Sequence, residues 1–196
     1  MVCVLGYDVG GANTKAAVIT TKDGKIEDIK EAIEYFPIWK EPEKLVNILL
    51  ALKKSLGTNR LDALGVTMTA ELSDAFATKR EGVHKILNCI KEAFPNETVY
   101  VLATNSEIVP FKLAEEQPLM VAAANWAATG WLVADVVKDC VVVDVGSTSA
   151  SIIPIVNGQV AAKGKTDLEK LGSMFTRKFG NYTLAFIMLF MLKIDI

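Results

Sequence analysis

Histidine is almost absent from this chain: His84 is the single one in 196 residues, and the three cysteines, Cys3, Cys89 and Cys140, stand far apart. Without a Cys-x-x-Cys pair or a second histidine there is no zinc constellation. Each cysteine sits in an apolar run, such as Cys140-Val141-Val142-Val143, and reads as a small buried hydrophobe in a reducing compartment. Surplus charge is also lacking. Lys plus Arg is 21 and Asp plus Glu is 23, a net −2 with no basic run, so nothing draws the chain onto nucleic-acid phosphates. The N-terminus shows neither a charged segment ahead of an apolar stretch nor a cleavage site, so no signal peptide is readable and a cytoplasmic location is expected. Gly-x-Ser-x-Gly, P-loop and Cys/His nucleophile patterns are missing too.

What is present is apolar. With 51% hydrophobic and 22% charged residues, the chain can bury a core, and disordered and fibrous classes are excluded. Its length suits one ordinary domain, or one domain and the start of another. Residues 119–137 carry a single charge, Asp135, and are long enough on paper to cross a bilayer. Alanines, Asn125, Thr129 and Gly130 dilute the stretch, which predicts a buried helix instead. The apolar run 184–192 is too short to span.

The most informative pattern is an internal echo. Val2 to Leu5 is an apolar run leading into Gly6-Tyr7-Asp8-Val9-Gly10-Gly11-Ala12-Asn13-Thr14, followed by a second apolar stretch, 16–19, and Asp23-Gly24. Cys140 to Val143 leads in the same way into Asp144-Val145-Gly146-Ser147-Thr148-Ser149, then 152–156 and Asn157-Gly158. Each copy predicts strand, Asp-x-Gly turn, strand and a tight hairpin. Two copies of one unit predict a duplicated architecture. Between them, 42–56 and 83–94 have helical periodicity, while 61–66 and 98–102 predict strands. Three strands, then helix, strand, helix, strand, helix is the ribonuclease-H-like order of an α/β fold. Ligands of open α/β sheets bind beyond the carboxyl ends of strands, where both Asp-x-Gly turns lie.

Each turn joins a carboxylate to backbone that an anion can approach closely, since glycine adds no side chain. Gly10, Gly11, Asn13, Thr14 and Lys15 in the first copy, and Gly146, Ser147, Thr148 and Ser149 in the second, are candidate phosphate-binding residues. A carboxylate beside phosphate calls for a hard cation between them, so Asp8 and Asp144 are candidate magnesium ligands. The polar connection 67–78 follows a strand and holds Glu71 and Asp74, either a catalytic carboxylate pair or a capped helix start. His84, Lys79, Arg80 and Lys85 read as solvated helix residues, and Asn125 and Trp126 as core.

At these residues a resemblance is visible. The paired Asp-x-Gly turns resemble the two phosphate motifs of the actin-like ATPase and sugar kinase superfamily, in its hydantoinase/oxoprolinase branch. More narrowly, GYDVGGANTKAA, TMTAELSDAFATKREGV, ANWAATGW and VDVGSTSASIIPI together resemble an archaeal family of tetrahydromethanopterin-linked one-carbon metabolism that includes the methanofuran-biosynthesis synthase. The resemblance runs from about Val2 to about Leu171. It implies a transferase that joins a furanylmethyl diphosphate to the phenol of γ-glutamyltyramine and releases diphosphate. It also implies that the two turns handle diphosphate and magnesium, with Glu71 or Asp74 as proton acceptor. An ATP-dependent hydrolase of the hydantoinase/oxoprolinase kind is the alternative. Ser151 departs from the family pattern, which has an acidic residue there. The expected division is a ribonuclease-H-like domain over 1–139, the opening of its duplicate over 140–171, and a tail over 172–196 that departs from the family continuation, as in a truncated or frame-shifted product.

Overall fold

The computed structural model describes residues 1–58, 60–145 and 150–161. They fall into two compact units, Met1–Asn125 and Trp126–Ile196.

In the first unit, three antiparallel strands open the chain: β1 (Val2–Val9), β2 (Asn13–Lys22) and β3 (Lys25–Tyr35). The hairpin between β2 and β3 turns on Asp23 and Gly24, both at positive φ, as an Asp-Gly turn requires. A 3₁₀ turn, Pro42–Lys44, then leads into helix α1 (Leu45–Leu56), whose buried Leu45, Leu49, Leu52 and Leu56 lie along one face. Gly57 ends it in the left-handed conformation. Strand β4 (Ala63–Met68), helix α2 (Lys79–Ala93) and strand β5 (Val99–Leu102) follow. Thr78 caps α2 by accepting a hydrogen bond from the Glu81 N–H. The sheet order is β3-β2-β1-β4-β5, with β4 parallel to β1 and β5 parallel to β4, which is the ribonuclease-H-like layout. A short strand β6 (Ile108–Pro110) pairs antiparallel outside β5 and runs into helix α3 (Phe111–Glu116). Neither was anticipated from periodicity, being too short to display one.

Strand alternation divides the sheet into two faces. Leu5, Tyr7, Val9, Ala16, Val18, Leu64, Val66, Met68, Val99 and Val101 point into the core beneath α1 and α2. The opposite face carries Val4, Ile19, Ile29 and Ile33, all exposed.

The long helix expected over 119–137 is not there. Pro118–Met120 is a 3₁₀ turn, Ala123 adopts φ 52°, and only Asn125–Val136 forms helix α4. One left-handed residue ends helical continuity whatever the local hydropathy. Among the described residues no helix is long and apolar enough to cross a membrane.

The second unit begins with most of α4 and continues into strands β7 (Cys140–Val145), β8 (Ala150–Val156) and β9 (Gln159–Val160), paired antiparallel in that order. Asn157 and Gly158, at φ 53° and 69°, make the predicted hairpin turn. Gly130 of α4 lies against Ile153 and Val160, where a Cβ would come within 2.9 Å of Val160.

Candidate functional site

Strand β1 delivers Asp8 to the carboxyl end of the sheet, and the chain reverses at once through residues 10–13. The turn is tight because Gly10 N–H donates to the Asn13 carbonyl at 3.0 Å, and a Cβ on Gly10 would lie 2.7 Å from that oxygen. The Ala12 and Gly11 carbonyls accept from the N–H groups of Phe36 and Ile38, both at 3.0 Å. The carbonyls of Gly11, Ala12 and Asn13 are thus all taken up by backbone N–H groups.

Lys15 stands beside Asp8 across the β1–β2 pair, and its Nζ lies 3.0 Å from Asp8 Oδ2. Asp8 Oδ1 is buried and has no hydrogen-bond partner. On the other side, β4 places Thr67 in register with Asp8. Thr14, predicted to join the phosphate donors, faces the other way. It is wholly buried on the helix-covered side, where Val9 is its partner across the strands. Alternation along β2 separates it from Lys15, so the first turn's polar face is built from Asp8, Asn13 and Lys15 without it.

The end of β4 lies beside the same turn, tied by a 3.0 Å bond from Thr69 N–H to the Val9 carbonyl. A 3₁₀ turn, Ala70–Leu72, then buries Glu71 to 1% exposure. Its Oε1 accepts a 2.7 Å hydrogen bond from the Ala123 N–H, while Oε2 is buried without a partner. Burial pushes the carboxyl up to about 7, against the opposing pull of backbone hydrogen bonds and the Lys79 charge. Helix α2 crosses so closely that a Cβ on Gly82 would lie 2.7 Å from Glu71 Cα. Asp74, three residues on, is exposed. The two carboxylates of the 67–78 connection therefore occupy opposite environments, and only Glu71 is protected.

In the second unit, Asp144 lies on β7 opposite Ser151 of β8 and is half-exposed. Gly146, Ser147, Thr148 and Ser149 lie outside the described residues, as does the tail 172–196.

Among the described residues no three His, Cys, Asp or Glu side chains gather into a metal-holding cluster. The residues at Asp8 nonetheless fit magnesium of one kind. A single carboxylate with one buried, unpartnered oxygen suits an ion that brings most of its ligands as water and phosphate oxygens.

Comparison with known proteins gives a family match, two curated relatives and a structural neighbour. A family model described as hydantoinase/oxoprolinase matches residues 62–185. The chain is 42% identical over 171 residues to the (4-{4-[2-(γ-L-glutamylamino)ethyl]phenoxymethyl}furan-2-yl)methanamine synthase of Methanocaldococcus jannaschii, covering 87% of this chain and 48% of that protein. The synthase of the same name from Methanococcus vannielii is 62% identical over 34 residues, 17% of this chain and 15% of that one. The chain thus spans about half the length of the first of these relatives. Among solved structures, the ethanolamine utilization protein EutJ from Carboxydothermus hydrogenoformans superposes with a TM-score of 0.49 at 17% identity, over 82% of this chain and 50% of that one.

Proposed function

The chain belongs to the hydantoinase/oxoprolinase family, and from that premise we propose that it carries the diphosphate-handling half of a transferase of methanofuran biosynthesis. The reaction is ether formation. The relatives' name describes a phenoxymethyl furan, whose new bond joins a phenol oxygen to a furanylmethyl carbon. The phenol of γ-glutamyltyramine supplies the oxygen and loses its proton. The furanylmethyl carbon loses diphosphate, which departs with the electron pair of the broken C–O bond.

What supports this reading is the pairing, at one end of one sheet, of a tight glycine turn beside Asp8 and Lys15 with a buried carboxyl raised to about 7. Backbone at Gly10 and Gly11, with Asn13 and Lys15, receives the diphosphate. Gly146, Ser147, Thr148 and Ser149 are proposed to do the same in the second copy. Asp8 and Asp144 are the residues that would hold magnesium, which supplies neutralising charge to the departing diphosphate. Lys15 already offsets one Asp8 oxygen at 3.0 Å, so magnesium alone gains little there and enters with the anion. Glu71 accepts the phenol proton on Oε2, the oxygen that no protein group occupies. A base is most effective with a pKa near the working pH, which favours Glu71 over the exposed Asp74.

Equilibrium binding of diphosphate and of ATP, each with magnesium, tests the reading. Tighter binding of diphosphate, together with γ-glutamyltyramine-dependent diphosphate release once the partner half is supplied, supports it. The family match itself favours a second reading, an ATP-dependent hydantoinase/oxoprolinase-like hydrolase. A clear preference for ATP would select that one.

A further inference from the structure

Asp8 has a neighbour that neither the Asp-x-Gly pattern nor the charge of the turn draws attention to. Strands β1 and β4 run parallel, and Asp8 is in register with Thr67. Both side chains leave the sheet on the face opposite α1 and α2, since Tyr7, Val9, Val66 and Met68, their neighbours along the strands, are all core. Three residues therefore cross three strands in one row: Lys15, Asp8 and Thr67. Lys15 occupies Asp8 Oδ2. Asp8 Oδ1 and Thr67 Oγ1 are each buried, and neither has a hydrogen-bond partner. A buried hydroxyl without a partner is costly, and so is a buried carboxylate oxygen. Two such atoms in register on adjacent strands define a place for something that supplies oxygen ligands or donates hydrogen bonds.

We infer that Thr67 is a positioning residue of the Asp8 cation site, its hydroxyl holding an oxygen of the hydrated magnesium–diphosphate unit against Asp8 Oδ1. The inference rests on the diphosphate reading above and adds a residue to it. Thr67 is suited to the task by position rather than charge. A β-branched residue has few χ1 choices on a strand, so its hydroxyl is held in place before the ligand arrives. It adds no negative charge to a row already balanced by Lys15. A hydroxyl can both donate to phosphate or water and accept from a metal-bound water.

The test is magnesium titration of the full chain at fixed diphosphate, with Thr67→Val and Thr67→Ser beside the wild type, and melting of each without ligand. Thr67→Val keeps the shape and removes only the oxygen. Free of ligand it is expected to melt at or above the wild-type temperature, because an unpaired buried hydroxyl is gone. Its magnesium requirement should rise by about 10-fold or more, the usual scale for losing a group that orients a metal's ligands. Thr67→Ser should restore most of that loss. An unaltered magnesium requirement in Thr67→Val would overturn the inference and leave the diphosphate reading standing. So would equal impairment in both variants with lowered melting, which is the pattern of a packing role. No magnesium-dependent diphosphate binding in the wild type would remove the reading and the inference together.

Discussion

Glu71 Oε1 and the backbone N–H of Ala123 are joined by a 2.7 Å hydrogen bond between residues 52 apart in sequence. The bond ties the turn after β4 to the segment that leads into α4, and Ala123 holds φ 52° where it is made. A non-glycine residue in the left-handed region costs on the order of 1 kcal/mol, so the surrounding contacts must maintain it. The Glu71 contact supplies one such restraint.

The sign of the pH effect follows from burial. Glu71 has a folded pKa of about 7, above its ordinary value of 4.5. The folded state therefore holds a proton that the unfolded chain has already released. Stability from this group is full below about 4.5, declines as pH rises, and is gone above about 7; the integrated change is roughly 3 kcal/mol. Denaturant midpoints measured from pH 5 to 8 should fall in that window. Glu71→Gln should flatten the slope, match or exceed the wild type at pH 8, and abolish proton acceptance. An unchanged slope in Glu71→Gln would assign the pH dependence to another group.

Gly82 is where α2 meets Glu71. An added Cβ would lie 2.7 Å from both Glu71 Cα and Cβ and 2.8 Å from Phe76 Cδ2. Gly82→Ala in a helix interior would ordinarily stabilise by about 0.5–1 kcal/mol. Here overpacking against backbone should reverse the sign, with a net loss of about 1–3 kcal/mol. Urea unfolding gives the answer directly, and a neutral or stabilising result would show that α2 does not crowd Glu71.

The Gly10 turn should be less forgiving of function than of folding. A Cβ there would meet the Asn13 carbonyl oxygen at 2.7 Å, a backbone atom that cannot swing aside. Gly10→Ala must open the turn, moving the amides meant to face the anion. Diphosphate affinity should drop by about 10-fold or more, while the melting temperature changes by only a few degrees, because the core cluster does not include the turn. Wild-type affinity in Gly10→Ala would remove the turn from the binding site.

Those positions also show what could be read in advance. The hairpins at Asp23-Gly24 and Asn157-Gly158, the leucine face of α1 and the placement of Asp8 at a strand end follow from local rules of dihedral preference and periodicity. The break at Ala123 does not, since alanine is the best helix former and its left-handed φ is imposed by contacts far along the chain. Thr14 illustrates the same limit. A threonine in an anion-binding motif is an attractive donor, yet the one-residue alternation of β2 sends it into the core while Lys15 faces Asp8. Glu71 could be singled out as a carboxylate in a polar connection, but its burial, and hence its proton affinity, depends on the approach of α2 at Gly82.

The uncovered face of the sheet gives the last prediction. On β3, Ile26, Ile29 and Ile33 are 60%, 57% and 63% exposed, and Val4 and Ile19 on the adjoining strands are 37% exposed each. Ile29 pairs with Ile19, and Ile19 with Val4, so these three side chains cross the strands as one apolar row, with Ile33 beside Lys15 and Ile26 beside Thr21. The edge itself is guarded. Lys25, Glu27, Asp28, Lys30, Glu31 and Glu34 are spread along β3, and charge on an edge strand discourages strand addition by another chain. Association should therefore occur face to face, through the isoleucines, and should persist at high salt because no ion pairs are needed. Replacing Ile29 and Ile33 with threonine keeps the β-branched shape and removes apolar surface that contributes nothing to the core. The double variant should stay monodisperse at concentrations where the wild type self-associates, with its melting temperature changed by no more than a few degrees. Sedimentation across a concentration series decides the matter: equal self-association of the two proteins would clear this face and place the sticky surface elsewhere.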